Sequence, residues 1–326
     1  MRRLRSSRRL LAFVGALLVA GVVAYALTAA GGPRPRTAAD ISGAEVAFHD
    51  RTAVVNGVRL HYVIGGSGPA VLLLTGFPET WYSWRKVMPA LARSHTVIAV
   101  DSPGIGESSI PPAGYDARAS AADLAALIGQ LGVRKASVVG HDLGGWVAYA
   151  FARFHPERTR RVAILEAGIP GLGLERRLDY SVPDRGSLWH VVFFMQPSVP
   201  ERLLAGKERE FLTGFLGPDR ARPETFSGGA VDEYVRAYTR PGRLTAALGQ
   251  YRAFYPNLVD NRAGGAPRLE APVLVVGGAR SRRRTDVGDA RRAARDVSAA
   301  VIPDAGHYVM EEQPGYVSER LLRFLR

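Results

Sequence analysis

One short stretch limits the folds open to this chain more than any other: VVGHDLGGWVAYAFARFHPER, residues 138–158. Val138 and Val139 run straight into Gly140-His141-Asp142-Leu143-Gly144-Gly145, and an amphipathic segment follows without a break. Glycines on both sides of a polar residue let the backbone bend sharply from a strand into a helix, with the central side chain at the tip of the bend. Such a bend commonly presents a serine. Here it presents a carboxylate. With a reference pKa of ~3.9, Asp142 is ionised at neutral pH and can attack carbon without help from a base, giving an ester between protein and substrate. The competing reading is structural, because aspartate is also a good N-cap for a helix starting near Gly144.

The rest of the chain supplies the sheet that such a bend needs. Val54 to Ile64 reads as a hairpin around Asn56-Gly57, a strong two-residue turn signal. Val71 to Leu74, Thr96 to Val100, Val138-Val139, Val162 to Leu165 and Val273 to Val276 are short continuous apolar runs, as in parallel strands covered on both faces. Helical patterns lie between them at Ser120 to Leu131, Trp146 to Phe154 and Pro314 to Leu325. This alternation predicts an α/β fold with a mostly parallel central sheet flanked by helices. It stops after Leu165. From about residue 170 to 265 there are only amphipathic pieces, rich in aromatics and cut by prolines, which predicts an inserted helical cap, or lid. The expected body is residues 45–169 and 266–326, with the lid, 170–265, between them.

Composition removes other classes. The chain has 326 residues, 47% apolar and 22% charged, enough for a sizeable core. It has no cysteine, so neither a disulfide framework nor a thiolate metal site can form, and no cofactor is expected. The net charge of +13 does not argue for nucleic acid. Seven arginines precede residue 40, ahead of the first acidic residue, Asp40, and the others are scattered apart from Arg280-Ser281-Arg282-Arg283-Arg284. The basic start MRRLRSSRR leads into LLAFVGALLVAGVVAYALTAA and then GGPRPR. That pattern predicts export by residues 1–30, as a cleaved signal or as an anchor, since the apolar run 10–30 approaches the ~20 residues of a membrane span. Residues 31–44 read as a linker. The body is expected outside the cytoplasm, secreted or anchored.

Four motifs then occur in order: Gly76-Phe77-Pro78-Glu79 with Trp81 and Trp84, Asp101 to Ser108 (DSPGIGES), Gly140 to Gly145, and Ala305-Gly306-His307. Together they resemble the α/β-hydrolase superfamily over roughly residues 45–326, and within it the aspartate branch of epoxide hydrolases and haloalkane or haloacid dehalogenases. The resemblance implies Asp142 as nucleophile and His307 as the base that drives ester hydrolysis. It implies the backbone N–H groups of Phe77 and Leu143 as an oxyanion hole, and a small apolar epoxide or halogenated compound, with water, as reactants. The family's late acid position falls in Gly277-Gly278-Ala279-Arg280-Ser281, which holds no carboxylate. Glu166, ending an apolar strand where some dehalogenases carry their acid, is the leading alternative; Asp286 and Asp289 stay open. Thr75 stands where the family usually has histidine.

In the lid, Tyr251 resembles the tyrosine that protonates the ring oxygen in epoxide hydrolases. His190, beside Trp189, takes the place of a second lid tyrosine, as in fluoroacetate-type dehalogenases. Those enzymes read a substrate carboxylate with arginines just after the nucleophile, where this chain has Leu143 and Trp146. The resemblance therefore implies an epoxide hydrolase first and a dehalogenase second. A catalytically silent fold that binds a ligand is the reading from a different class.

Overall fold

The computed structural model describes residues 34–178, 188–227, 229–263, 268–281 and 287–326. The export segment 1–30 and Asp286 lie outside them. Among the described residues no helix is long and apolar enough to cross a membrane.

Eight strands among these residues form one sheet in the order β1-β2-β4-β3-β5-β6-β7-β8. They are β1 (Phe48–Val55), β2 (Val58–Gly65), β3 (Ala70–Leu74), β4 (Thr96–Val100), β5 (Ala136–His141), β6 (Thr159–Leu165), β7 (Val273–Gly278) and β8 (Val297–Ile302). Strand β2 runs antiparallel to both of its neighbours, and every other pair is parallel. The β1–β2 hairpin turns at Asn56 and Gly57, which both have positive φ (47° and 82°), the requirement of the tight turn that matches strand twist.

The body helices are α1 (Met88–Ala92), α2 (Ala117–Gln130) and α3 (Leu143–Phe154). Between β6 and β7 the described residues hold no strand and six α-helices: α4 (Trp189–Met195), α5 (Val199–Leu204), α6 (Glu208–Leu216), α7 (Ala230–Thr239), α8 (Arg243–Arg252) and α9 (Phe254–Arg262). Then come α10 (Val287–Ala293), α11 (Val309–Glu312) and α12 (Pro314–Leu325).

The apolar runs are explained by two cores. Val71 and Leu73 of β3 are buried on one face of the sheet, Leu72 and Leu74 on the other. Each such side chain contributes about 1.5–3 kcal/mol relative to exposure, so the central strands cannot be polar on either face. The compact body begins at Arg36. Ala38 is buried and its N–H donates to Asp50 at 2.9 Å. Within the stretch read as a linker, Ala38 is thus held against the body, while Ala39, Ser42 and Gly43 are exposed.

The helices between β6 and β7 are tied down in two ways. Rings of Phe194, Phe215, Tyr238 and Tyr251 surround Phe77 at 5.1–5.8 Å, edge to face. Arg236 of α7 and Arg240, which follows it, both reach Glu107, beyond β4, at 2.9 Å. Burial disfavours the Glu107 charge, but the two guanidinium groups more than offset it and hold its pKa below the usual carboxylate value. Strand order reverses between β3 and β5, and at such a point a crevice opens at the carboxyl ends of the strands. Phe77 and Asp142 lie just beyond those two ends.

Candidate active site

Strand β5 ends at His141, and Asp142 bends the chain into α3 with φ 52° and ψ −123°. A non-glycine residue at such angles costs on the order of 1–3 kcal/mol, so the surroundings must hold it there. Its N–H donates to the Leu165 carbonyl at 3.1 Å and its carbonyl accepts from Gly145 at 2.8 Å. Gly140 permits the bend, because a Cβ there would lie 2.1 Å from the Gly144 oxygen. Gly76 leaves room for the side chain, since a Cβ on it would stand 2.2 Å from Asp142 Oδ1. The carboxylate makes no cap bond to α3. Instead Oδ1 accepts the Phe77 N–H at 3.1 Å. The helix-cap reading therefore fails. Leu143 is the first residue of α3, whose opening N–H groups have no partner within the helix.

His307 follows β8, is 1% exposed, and is held by its N–H to the Asp219 carbonyl at 2.8 Å. Its Nε2 lies 3.7 Å from Asp142 Oδ2, and its Nδ1 lies 3.3 Å from Glu166 Oε2. Glu166 follows β6 directly, with positive φ (53°), and is buried. Gly278 N–H donates to its Oε1 at 2.6 Å, and Ser281 Oγ donates to Oε2. These bonds come from the end of β7 and the residues after it, a segment that lacks a carboxylate of its own. Asp289 points elsewhere: on α10 it pairs with Arg176 and Arg292. Of the described carboxylates considered for the acid role, Glu166 is the one placed against His307.

Asp142, Leu143, Glu166, His190 and Tyr251 line one small cavity, about 30 Å³, with Trp146, Arg177 and Leu188 also in its wall. That is room for a water or two. The His190 and Tyr251 rings meet edge to face at 5.9 Å. Trp189 is not part of this wall. It stands 46% exposed at the start of α4, with its ring against Phe193. The Trp189 expectation is corrected by helical phase: neighbours on a helix point ~100° apart, so burying His190 turns Trp189 outward.

Behind His307 lies a pair that sequence reasoning assigned no role. His141 is fully buried, its Nε2 2.9 Å from the His307 carbonyl and its Nδ1 2.9 Å from Glu79 Oε2. Glu79, equally buried, also takes a hydroxyl from Thr75 at 3.3 Å. Burial opposes charge on His141, but the Glu79 carboxylate outweighs it and raises the imidazole pKa. The available signal was Glu79 itself, a charged residue in a segment otherwise bound for the core.

A family model described as the alpha/beta hydrolase fold matches residues 69–314. The chain is 35% identical to the soluble epoxide hydrolase of Corynebacterium sp. (strain C12), over 86% of this chain and 97% of that protein. It is 31% identical to the fluoroacetate dehalogenase of Burkholderia sp., over 85% and 94% respectively. The crystal structure of wild-type Cfl2 from Burkholderia cenocepacia superposes with a TM-score of 0.82 at 42% identity, covering 86% of this chain and 96% of that one.

Proposed function

This hydrolase belongs to the α/β-hydrolase fold family, and we propose that it opens epoxides to diols through a covalent ester on Asp142. The observation that carries the reading is the division of labour at that carboxylate. Oδ1 is engaged by the Phe77 N–H, while Oδ2 faces His307 Nε2, which Glu166 backs through Nδ1. Oδ2 attacks the less hindered ring carbon, the C–O bond breaks, and the ring oxygen takes a proton from Tyr251 in the cavity wall. Water then attacks Cγ of Asp142 while His307 accepts its proton. The oxyanion forms on Oδ1, where the Phe77 and Leu143 N–H groups stabilise it. Collapse breaks the bond from Cγ to the alkyl oxygen and releases the diol, with the His307 proton going to the leaving alkoxide; Asp142 then loses its remaining carboxyl proton to solvent and Tyr251 regains one from it.

Relatives support the reading on both sides, since one is an epoxide hydrolase and another a fluoroacetate dehalogenase. A dehalogenase is the second reading, favoured by His190 and Arg177 in the cavity wall. Against it, apolar Leu143 and Trp146 follow the nucleophile. The deciding experiment is His307→Gln, which leaves attack intact and removes the base, whose help is typically worth 10²–10⁴-fold. The variant should gain the mass of an opened epoxide, mapped to Asp142, and Asp142→Ala should gain none. An alkyl adduct formed with halide release supports the second reading. A variant that stays unmodified by substrates the native enzyme turns over removes Asp142 as nucleophile.

A further inference from the structure

The resting charge of the site raises a question that the reaction scheme leaves open. Asp142, Glu166 and Glu79 bring three carboxylates around two imidazoles, His141 and His307, whose ring centres are 4.6 Å apart. One proton shared badly between those rings would put charge on His307 and disable it as a base. The bonding of His141 resolves this. Its Nε2 faces the His307 carbonyl, which can only accept, so Nε2 carries hydrogen. Its Nδ1 lies 2.9 Å from the Glu79 carboxylate, an ion-pair contact off the line of a regular hydrogen bond. An imidazole with an acceptor at each nitrogen is best matched by both nitrogens protonated.

We propose that Glu79 and His141 form a buried ion pair that carries the site's resting positive charge, fixes the His307 loop through the His307 carbonyl, and keeps His307 neutral. Both are positioning residues that act through His307, and the inference rests on the reading of His307 as the base. Burial works in its favour. Glu79 and His141 have no exposed surface, so neither charge is screened by water, and each needs the other. Thr75 and Ser83 anchor the carboxylate side, Thr75 Oγ1 lying 3.3 Å from Glu79 and 3.1 Å from Ser83 Oγ.

The other groups facing the pair pull in both directions: burial, Glu311 and Asp142 raise the Glu79 pKa, and His141 is the group that opposes them. His141 also faces Asp142 and, farther off, Glu312 and the Tyr308 ring; Glu79 feels Glu311. Glu311 is neutralised by Arg85 and Lys86, and accepts from Tyr234. His307 faces Asp142, Glu166, His141 and Tyr308. Among these His141 is the cation, and its charge opposes a proton on His307.

The test reads the rings directly and needs no substrate. The full chain, labelled with ¹⁵N-histidine, is titrated while long-range ¹H–¹⁵N spectra report which ring nitrogens carry hydrogen. At about pH 7.5, above the ordinary imidazole midpoint of ~6.5, His141 should still show two protonated nitrogens and His307 one. In Glu79→Gln, His141 should show one, and His307 should take up its proton at higher pH than in the native chain. Glu79→Asp, which keeps the charge, should restore the native pattern. A bare ring nitrogen on His141 in the native chain at that pH overturns the proposal, whatever the variants do. So does a Glu79→Gln spectrum in which the His307 titration has not moved. A merely structural role for Glu79 predicts lost stability with both titrations unchanged. Failure of the chain to form an Asp142 adduct would instead count against the proposed reaction, and leaves these spectra readable.

Discussion

Replacing Glu166 by glutamine removes one charge while keeping the shape of the side chain. The amide oxygen of the Glu166→Gln variant can still accept the Gly278 N–H, now made at 2.6 Å. Its amide nitrogen, however, would face His307 Nδ1, at present 3.3 Å from the carboxylate. An amide donor there requires a bare Nδ1, which forces the imidazole proton onto Nε2, the atom that must accept from water. Two losses combine. A unit charge at that distance stabilises the imidazolium formed during hydrolysis by roughly 5 kcal/mol at an effective dielectric constant of 20. Part of this is regained from solvent and relaxation, and a hydrogen bond to a charged group nets about 1.5–3 kcal/mol. A tautomer penalty adds to the latter, so a loss of about 3–4 kcal/mol is expected, or roughly 10²–10³-fold at ~1.4 kcal/mol per decade.

The loss should fall on one step. Attack by Asp142 needs no base, so alkylation should stay within a few-fold of native. Rapid-quench mass spectrometry with an epoxide substrate would then show the ester accumulating to nearly the whole enzyme while diol release slows. Asp289→Asn should leave both steps unchanged, because Asp289 is engaged with Arg176 and Arg292. Equal slowing of alkylation and hydrolysis by Glu166→Gln, or a larger effect from Asp289→Asn, would refute the assignment of the acid.

Other consequences are independent of that one. Tyr251→Phe should slow alkylation by about 10²–10⁴-fold, the usual worth of a placed acid, and leave hydrolysis of a preformed ester intact; if His190→Phe does this instead, the proton comes from His190. Away from the site, His61 sits between Asp101 at 2.8 Å and Asp50 at 3.2 Å. Burial opposes its charge, but the two carboxylates win and its folded pKa lies above the ordinary value. The stabilisation is therefore complete below about pH 6.5 and is lost as pH rises through the folded pKa. Urea unfolding should show His61→Gln costing more stability at roughly pH 6 than at roughly pH 9; an equal cost at both would refute the linkage. Finally, residues 1–30 are proposed to direct export, so fractionation should place the body outside the cytoplasm, and a full-length chain wholly in the cytosol would end that proposal.

Residues 138–158 determined the bend, the exposed carboxylate at its tip and the fold class, because each depends on neighbours in the chain. Gly140 is required by a contact four residues away, and the apolar strands announce a sheet buried on both faces. His307 was legible for a similar reason, through its short loop after β8. The tertiary structure decided what depends on residues far apart. Asp142 had two uses open to it, and the fold turned its carboxylate away from the helix cap and onto the Phe77 N–H, 65 positions earlier. Glu166, Asp286 and Asp289 were chemically equivalent as acids, and among those described it was the side-by-side placement of β6 and β7 that brought Glu166 to Gly278 and His307. Trp189 and His190 are adjacent in the chain, and the seating of a seven-residue helix chose between them. Glu79 was a signal in the sequence, but its pairing with His141 could not be read there, for a plain physical reason. A charge can be buried only beside its partner, and that partner lies 62 residues along the chain, where only the folded sheet brings the two together.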